Sequence, residues 1–259
     1  MLKFSANLSM LFTERPLPER FAAARAAGFA AVEIQFPYEL GPADLQRLLA
    51  ENEQQLVLIN VPAGDLMQGG NGNACVPGEE KNFRQAVAQA AEYAAALQVP
   101  TVNVLAGRRV PGLSVEACEA VLGDNLQYAV ARLRDAGATT VLEAINVFDM
   151  PRFLVHSLED MQRFVHAVPR LKMQFDCYHM SRMGEDVVPV LRDNLAQIGH
   201  VQFADSPGRH EPGSGRIDFR AVFATLRDSA YAGWCGAEYR PSRPTEETLA
   251  WLQRWSAGS

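Results

Sequence analysis

Residues 139–177 read TTVLEAINVFDMPRFLVHSLEDMQRFVHAVPRLKMQFDC and contain one complete strand–helix–strand unit. The apolar runs at 139–145 and 171–177 are short, as expected of strands that are buried on both faces of a parallel sheet. Between them, residues 157–168 place apolar side chains at helical spacing after Ser157, a preferred residue at helix starts. The stretch therefore predicts a strand, a crossover helix and a second strand parallel to the first.

The same pattern repeats along the chain with a period of roughly 30 residues. Strands are predicted at residues 3–9, 31–36, 56–61, 101–106, 139–145, 171–177, 199–204 and 234–239. Helices are predicted at residues 17–27, 42–51, 79–97, 114–135, 157–168, 186–194, 218–228 and 245–255. Eight such units without a break in composition predict an α/β protein with one (β/α)₈ TIM barrel domain over residues 1–259.

An open, doubly wound α/β sheet is the alternative architecture. Such a sheet usually carries a glycine-rich fingerprint directly after its first strand. Residues 5–9, Ser-Ala-Asn-Leu-Ser, contain no glycine, so the sequence favours the closed barrel over the open sheet.

The composition is that of an ordinary globular protein, with 48% hydrophobic and 21% charged residues and a net charge of −6. It excludes disordered and fibrous proteins, and the apolar runs fall short of the roughly 18 residues of a membrane span. A mildly acidic chain without a basic run is a poor candidate for nucleic-acid binding. The four cysteines form no C-x-x-C pair, which argues against a cysteine zinc site. The start of the chain lacks a secretory signal, which predicts a cytoplasmic protein.

Polar side chains interrupt the apolar runs near the ends of the last four predicted strands. These residues are Glu143, Asp176, Gln202 and Glu238, each one strand–helix unit after the one before. Alternation along a strand turns these four toward the barrel axis and their neighbours toward the helices. Because the carboxyl ends of barrel strands meet at one face, we expect the four side chains to converge there.

Converging carboxylates point to a bound cation. Three of them cannot all stay ionised in a buried site without compensating charge, and an all-oxygen ligand set favours Mg²⁺ or Mn²⁺. Such an ion can bind two adjacent oxygens of a hydroxy-carbonyl compound and stabilise an enolate. Glu143 and Glu238 are then candidates to remove and return a proton on neighbouring carbons, as in aldose–ketose isomerisation. Taken singly, each buried carboxylate is more typical of a hydrogen-bonded structural residue.

The motifs around these residues resemble the hydroxypyruvate isomerase family of the xylose isomerase-like TIM barrel superfamily over nearly the whole chain. They are FSANLSMLF at 4–12, PAGD at 62–65, EAINVFD at 143–149, DCYHM at 176–180, HEPG at 210–213 and GAEY at 236–239. The resemblance implies a metal held by Glu143, Asp176, Gln202 and Glu238, with proton transfer by Glu143 and Glu238. It also implies a small hydroxy-oxo acid substrate and the interconversion of hydroxypyruvate and tartronate semialdehyde.

The resemblance extends to other substrates of the superfamily. Ala144 stands where the family commonly has Pro, and the related 2-oxo-tetronate isomerases also carry Glu-Ala at this point. Residues 146–151 and 176–180, by contrast, are more similar to hydroxypyruvate isomerases. Sugar epimerases usually have His at the position of Gln202. A four-carbon acid or a sugar is therefore the alternative substrate.

Four further residues near strand ends are candidates for substrate contacts. His179 can donate a hydrogen bond to a substrate oxygen, and Arg209 and His210 can pair with a substrate carboxylate. Asp149 can bind substrate or cap a turn. A loop histidine bonded to backbone and a solvated surface arginine are the structural alternatives for His179 and Arg209.

Two other functions are compatible with a barrel of this type. A DNA-repair endonuclease of the same superfamily needs a histidine-rich multi-zinc site, and the chain has five histidines, mostly away from the predicted strand ends. A non-catalytic binding barrel would have lost one of the four metal ligands, and all four are present. The sequence leaves open whether the protein forms a homo-oligomer.

Overall fold

The structure is a computed structural model that describes residues 2–256. Over these residues eight strands follow one another in a closed parallel barrel, which confirms the predicted (β/α)₈ fold. The strands are β1 (Lys3–Asn7), β2 (Ala31–Glu33), β3 (Gln55–Asn60), β4 (Thr101–Val104), β5 (Thr139–Glu143), β6 (Lys172–Asp176), β7 (Ile198–Phe203) and β8 (Trp234–Ala237). The helices are α1 (Leu17–Ala26), α2 (Pro42–Glu51), α3 (Glu80–Leu97), α4 (Val115–Asp135), α5 (Leu158–Ala167), α6 (Cys177–Arg182), α7 (Val187–Asn194), α8 (Phe219–Arg227) and α9 (Ala250–Ser256).

Side-chain caps fix the predicted helix starts. Ser157 accepts a hydrogen bond from the backbone N–H of Asp160 at 3.1 Å, and the Asp160 carboxylate accepts the N–H of Ser157 in return. Ser114 and Asp218 cap α4 and α8 in the same way, through their side-chain oxygens. Each cap satisfies N–H groups that have no partner within the helix.

All eight strands end earlier than the hydrophobic runs predict. The runs predicted at 101–106 and 139–145 end as strands at Val104 and Glu143. The apolar residues beyond them stay buried without belonging to the strands, as Ala106 and Ala144 do. Hydrophobic patterning reports burial rather than backbone pairing, so it extends each predicted strand into the buried part of the following loop.

Two helical regions differ from the prediction. The predicted strand 171–177 stops at Asp176, and the short helix α6, which the sequence did not predict, begins at Cys177. The predicted helix 245–255 divides into a 3₁₀ turn at Thr245–Thr248 and helix α9. Among the described residues, no helix combines the length and the hydropathy needed to cross a bilayer.

The described chain falls into two compact units, and the single-domain organisation over residues 1–259 stays a prediction. The first unit comprises the described parts of Met1–Val57 and Phe175–Ser259. Its core contains aromatic rings in edge contact, with Phe203 5.2 Å from Phe223 and 5.1 Å from Trp251, measured between ring centres. Such contacts add to the free energy that the buried area supplies.

The second unit is Leu58–Gln174. Its strand ladder runs through β4 and β5 to the start of β6, where Glu143 lies opposite Gln174. Helices α3 and α4 pack against each other and bury residues such as Phe83 and Leu122.

Candidate active site

The four predicted metal ligands all lie at the carboxyl ends of strands. Glu143 and Asp176 are the last residues of β5 and β6, Gln202 lies one residue before the end of β7, and Glu238 directly follows β8. All four are buried, with at most 4% of their surface exposed. Buried carboxylates need hydrogen bonds or opposite charge, so the partners of each one define what the site can do.

Glu238 is held by four donors. Its Oε1 accepts hydrogen bonds from Asn7 Nδ2 and Gln35 Nε2, both at 2.9 Å, and from Gln202 Nε2 at 3.4 Å. Its Oε2 accepts one from Arg209 Nη2 at 2.6 Å, within an ion pair. Donors on both oxygens hold the carboxylate in one orientation.

Glu33, the last residue of β2, has a fully buried carboxylate close to Glu238 through their shared donors Asn7 and Gln202. It accepts hydrogen bonds from Ser5 Oγ at 2.7 Å, from His200 Nε2 and Gln202 Nε2 at 2.8 Å, and from Asn7 Nδ2 at 3.4 Å. Burial acts to raise the pKa of Glu33. The attraction of His200 and the hydrogen bonds outweigh burial, so this pKa lies below its ordinary value.

Gly236 in β8 leaves room for this carboxylate. It lies in register with Ser5 of β1 and Gln202 of β7, and a Cβ atom built on it would lie 2.0 Å from Glu33 Oε1. Any side chain at this position would therefore displace Glu33 from its donors.

We expect Gly236→Ala to lower the free energy of unfolding by about 1–3 kcal/mol, because the added methyl group overpacks a rigid polar core. Urea denaturation measures this change. The matched control is Gly123→Ala within α4, where a Cβ meets nothing within 4 Å. There alanine should raise the stability by about 0.5–1 kcal/mol, since it replaces glycine inside a helix. Equal effects of the two substitutions would contradict the assigned role of Gly236.

Asp176 is both the end of β6 and the N-cap of α6. Its Oδ1 accepts the backbone N–H groups of Tyr178 at 2.7 Å and His179 at 3.3 Å. Its Oδ2 is buried and has no hydrogen-bond partner among the described residues. Burial raises the pKa of Asp176 to about 7, with Arg209 acting against this and the Glu238 charge adding to it. An unsatisfied, buried carboxylate oxygen is suited to a cation.

His179 lies beside this oxygen, with Nε2 3.7 Å from Asp176 Oδ2. Burial, followed by the charge of Arg209, holds the pKa of His179 well below its usual value. The imidazole is therefore neutral at pH 7, and a neutral imidazole is the form that binds a metal.

Asp176 and His179 each offer a potential metal ligand atom, and these atoms, Oδ2 and Nε2, lie 3.7 Å apart. Glu143, at the end of β5, accepts a hydrogen bond on Oε2 from Asn103 Nδ2 at 3.0 Å. Asp176 is one of the predicted ligands, and the sequence had suggested His179 as a substrate contact. A carboxylate and an imidazole are ligands that suit a divalent cation.

Asp205 organises the loop that follows β7 and carries Arg209 and His210. Its buried carboxylate accepts backbone N–H groups from Ser206, Gly213, Gly215 and Ile217 at 2.8–3.1 Å. These bonds fix the loop as a unit, so the two basic residues are presented by a shaped scaffold.

Arg209 points into the site, whereas His210 is tied to backbone. The Arg209 guanidinium lies 5.2 Å from the centre of the Tyr178 ring, in addition to its ion pair with Glu238. His210 Nδ1 donates to the carbonyl oxygen of Arg240 at 2.7 Å. Arg209 is therefore the better placed of the two to meet an anionic substrate.

Asp149 lies in the loop after β5 and takes part in a turn. Asn146 Nδ2 donates to Asp149 Oδ2 at 3.1 Å, and Asn146 Oδ1 accepts the backbone N–H of Asp149 at 2.9 Å. This matches the turn-capping alternative in the sequence analysis, and a substrate contact by Asp149 stays a prediction.

Three residues of the site had only weak signals in the sequence. Glu33 is a charged residue in the otherwise apolar run Ala-Val-Glu-Ile at 31–34, and Asn7 closes the first strand. Both were more typical of structural residues. Gln35 lies two residues after Glu33, beyond the end of β2, where no pattern singled it out.

Comparison with known proteins agrees with this architecture. The sequence matches the profile of the family described as xylose isomerase-like TIM barrel over residues 21–255. Hydroxypyruvate isomerase of Escherichia coli (strain K12) is 41% identical over 254 residues, covering 97% of this chain and 98% of that protein. 2-oxo-tetronate isomerase of Cupriavidus necator is 38% identical, covering 98% of both. A solved structure described as AP endonuclease, family 2 from Brucella melitensis has a TM-score of 0.94 at 35% identity, covering 98% of this chain and 99% of that one.

Proposed function

Because the chain belongs to the xylose isomerase-like TIM barrel family, we propose that it is an aldose–ketose isomerase that interconverts hydroxypyruvate and tartronate semialdehyde. The identity of 41% to the Escherichia coli hydroxypyruvate isomerase supports this substrate. The slightly lower identity of 38% to a 2-oxo-tetronate isomerase makes the four-carbon acid the second candidate. We further propose a cytoplasmic enzyme of glyoxylate metabolism that acts on small molecules.

The proposed cofactor is Mg²⁺ or Mn²⁺, held by Glu143, Asp176, Gln202 and Glu238, with His179 beside them. The observation that carries the proposal is the buried Oδ2 of Asp176, which lacks a hydrogen-bond partner among the described residues and lies 3.7 Å from His179 Nε2. A bound dication would supply Lewis acidity toward adjacent oxygens of a hydroxy-carbonyl substrate.

The proposed proton transfer uses Glu143 and Glu238. One carboxylate removes a proton from C3 of hydroxypyruvate to give an enediolate, and the other returns a proton to C2. The hydroxyl proton is lost from the oxygen on C3 and a proton is gained by the oxygen on C2. The product is therefore an isomer, and no oxidant or reductant is consumed. The four donors on Glu238 hold it in one orientation, which supports this role.

Arg209 is proposed to bind the substrate carboxylate, because its guanidinium lies beside Glu238 and over the Tyr178 ring. An arginine can bind a carboxylate through two parallel hydrogen bonds. His179, His210 and Asp149 are proposed to contact the remaining oxygens of the substrate.

The endonuclease described for the Brucella melitensis structure is a weaker candidate function for this chain. Its net charge is −6, which opposes approach to a polyanion. Of the five histidines in the chain, His179 is the one proposed beside the metal ligands. We therefore propose no nucleic-acid partner.

The test is isomerisation of hydroxypyruvate and of 2-oxo-tetronate, measured before and after chelation. We expect a higher kcat/KM for hydroxypyruvate. Chelation should abolish the activity and lower the Tm, because the bound ion stabilises only the folded state, and added Mn²⁺ should restore both. A higher kcat/KM for 2-oxo-tetronate would make that four-carbon acid the substrate in place of hydroxypyruvate. Inactivity with both acids and a Tm unchanged by chelation would favour a non-catalytic binding barrel.

A further inference from the structure

We infer that Glu33 is a positioning residue of this site, which sets the amide orientations of Gln202 and Asn7 and through them holds Glu238. The inference rests on the proposed function, since Gln202 and Glu238 are its proposed ligands. Glu33 itself is fully buried at the end of β2, so it acts through its neighbours and not by touching substrate.

Gln202 shows how Glu33 acts. Its Nε2 donates to Glu33 Oε2 at 2.8 Å and to Glu238 Oε1 at 3.4 Å. Both acceptors are carboxylates, so the NH₂ end of the amide must face them. The Oε1 atom diverges from Nε2 at the same carbon and lies on the opposite side of the amide group. Glu33 thereby determines that the oxygen of Gln202, its only potential metal ligand atom, faces away from Glu33.

Asn7 is oriented in the same way from β1. Its Nδ2 donates to Glu238 Oε1 at 2.9 Å and to Glu33 Oε2 at 3.4 Å. Its Oδ1 accepts the backbone N–H of Ser9 at 3.0 Å, which excludes the flipped amide. Two amides, one from β1 and one from β7 on either side of β8, therefore link Glu33 to Glu238.

Other contacts keep Glu33 itself in place. Ser5 Oγ at 2.7 Å and His200 Nε2 at 2.8 Å donate to its Oε1 and leave Oε2 to the two amides. The missing side chain of Gly236 provides the space for the carboxylate. Groups that orient metal ligands typically change metal affinity about 10- to 100-fold when they are removed.

The experiment compares wild type with two variants at position 33. Glu33→Gln keeps the shape and removes the charge, whereas Glu33→Asp keeps the charge and shortens the reach. Glu211→Gln is the matched control, because it makes the same change in a carboxylate that bonds to Ser242 and has no role in the proposed site. The probes are Mn²⁺ binding by calorimetry and, in the metal-free protein, the side-chain NH₂ resonances of Gln202 by NMR.

We expect both Glu33 variants to weaken Mn²⁺ binding by about 10-fold or more, and Glu211→Gln to change it by less than about twofold. The Gln202 NH₂ resonances should shift in both Glu33 variants and stay in place in Glu211→Gln. Unchanged Mn²⁺ affinity in Glu33→Asp would show that only the charge of Glu33 counts and would overturn the inference. Unshifted Gln202 resonances would overturn it as well.

Two readouts keep the inference separate from the proposed function. If wild type binds Mn²⁺ but isomerises neither acid, the proposed function fails and the Mn²⁺ affinities still decide the role of Glu33. If wild type binds no Mn²⁺, the Gln202 resonances decide it. If Glu33→Gln does not fold, Glu33→Asp decides it alone, because that variant retains a buried carboxylate as the acceptor for His200.

Discussion

Replacing Glu238 by glutamine is expected to lower kcat for hydroxypyruvate by about 10³-fold, because an amide cannot take up or return a proton in the reaction. Glu143→Gln should cause a loss of similar size for the same reason. Glutamine retains the shape of the side chain, so the fold should survive both changes. Steady-state isomerisation kinetics measure the loss, and circular dichroism confirms that the variants are folded.

Glu211→Gln is the control for these two variants. Glu211 lies in the loop after β7 and bonds to Ser242, outside the proposed site. Its kcat should equal that of wild type. If Glu143→Gln or Glu238→Gln retained more than about a tenth of wild-type kcat, that residue would not be the base, since general base catalysis contributes at least about 10²-fold.

The second large effect concerns stability. At pH 7 we expect Glu33→Gln to lower the free energy of unfolding by about 3–5 kcal/mol, because it removes a buried carboxylate that accepts hydrogen bonds from Ser5, His200, Gln202 and Asn7. The pKa of Glu33 is lower in the folded protein than its ordinary value of 4.5. Its stabilising contribution is therefore complete above pH 4.5 and is lost as the pH falls toward the folded pKa. Denaturant titrations at pH 7 and below pH 4.5 measure the free energy of unfolding of wild type and Glu33→Gln. The difference between these two free energies should be smaller at the acidic pH.

An exposed carboxylate gives the comparison for this pH effect. Glu51 pairs with Arg47 on the surface of α2, and Glu51→Gln should change the free energy of unfolding by less than about 1 kcal/mol at both pH values. If the free energies of unfolding of wild type and Glu33→Gln differed by the same amount down to pH 3, the lowered pKa of Glu33 would be contradicted.

The fold was predictable because local signals agreed with one another. Ser114, Ser157 and Asp218 cap helices at the predicted starts. The positive φ angles of Gly28 and Gly137 follow α1 and α4, as expected of glycines that end helices. The sequence analysis did not predict helix α6, because Asp176 both ends an apolar strand and caps a six-residue helix. Hydrophobic patterning indicates the strand but not the helix cap.

The network around the candidate site was less accessible to sequence analysis. Spacing along the last four strands pointed to Glu143, Asp176, Gln202 and Glu238, whose roles stay predictions. Asn7, Glu33 and Gln35 come from the first two strands and their ends, far from Glu238 in sequence. Their bonds depend on side-chain geometry between distant segments, which periodicity does not encode.

The hydrogen bonds that Ser5, Asn7, His200 and Gln202 donate to Glu33 also affect how the chain folds. The donors come from β1 and β7, and His200 is 167 residues from Glu33 in sequence. An intermediate that collapses around β2 before β7 has docked would enclose a carboxylate without its partner, at a cost of several kcal/mol. A one-residue slip of β7 would likewise turn His200 and Gln202 to the other face of the sheet. We therefore expect these hydrogen bonds to destabilise collapsed states that form before β7 docks and states in which β7 pairs in the wrong register.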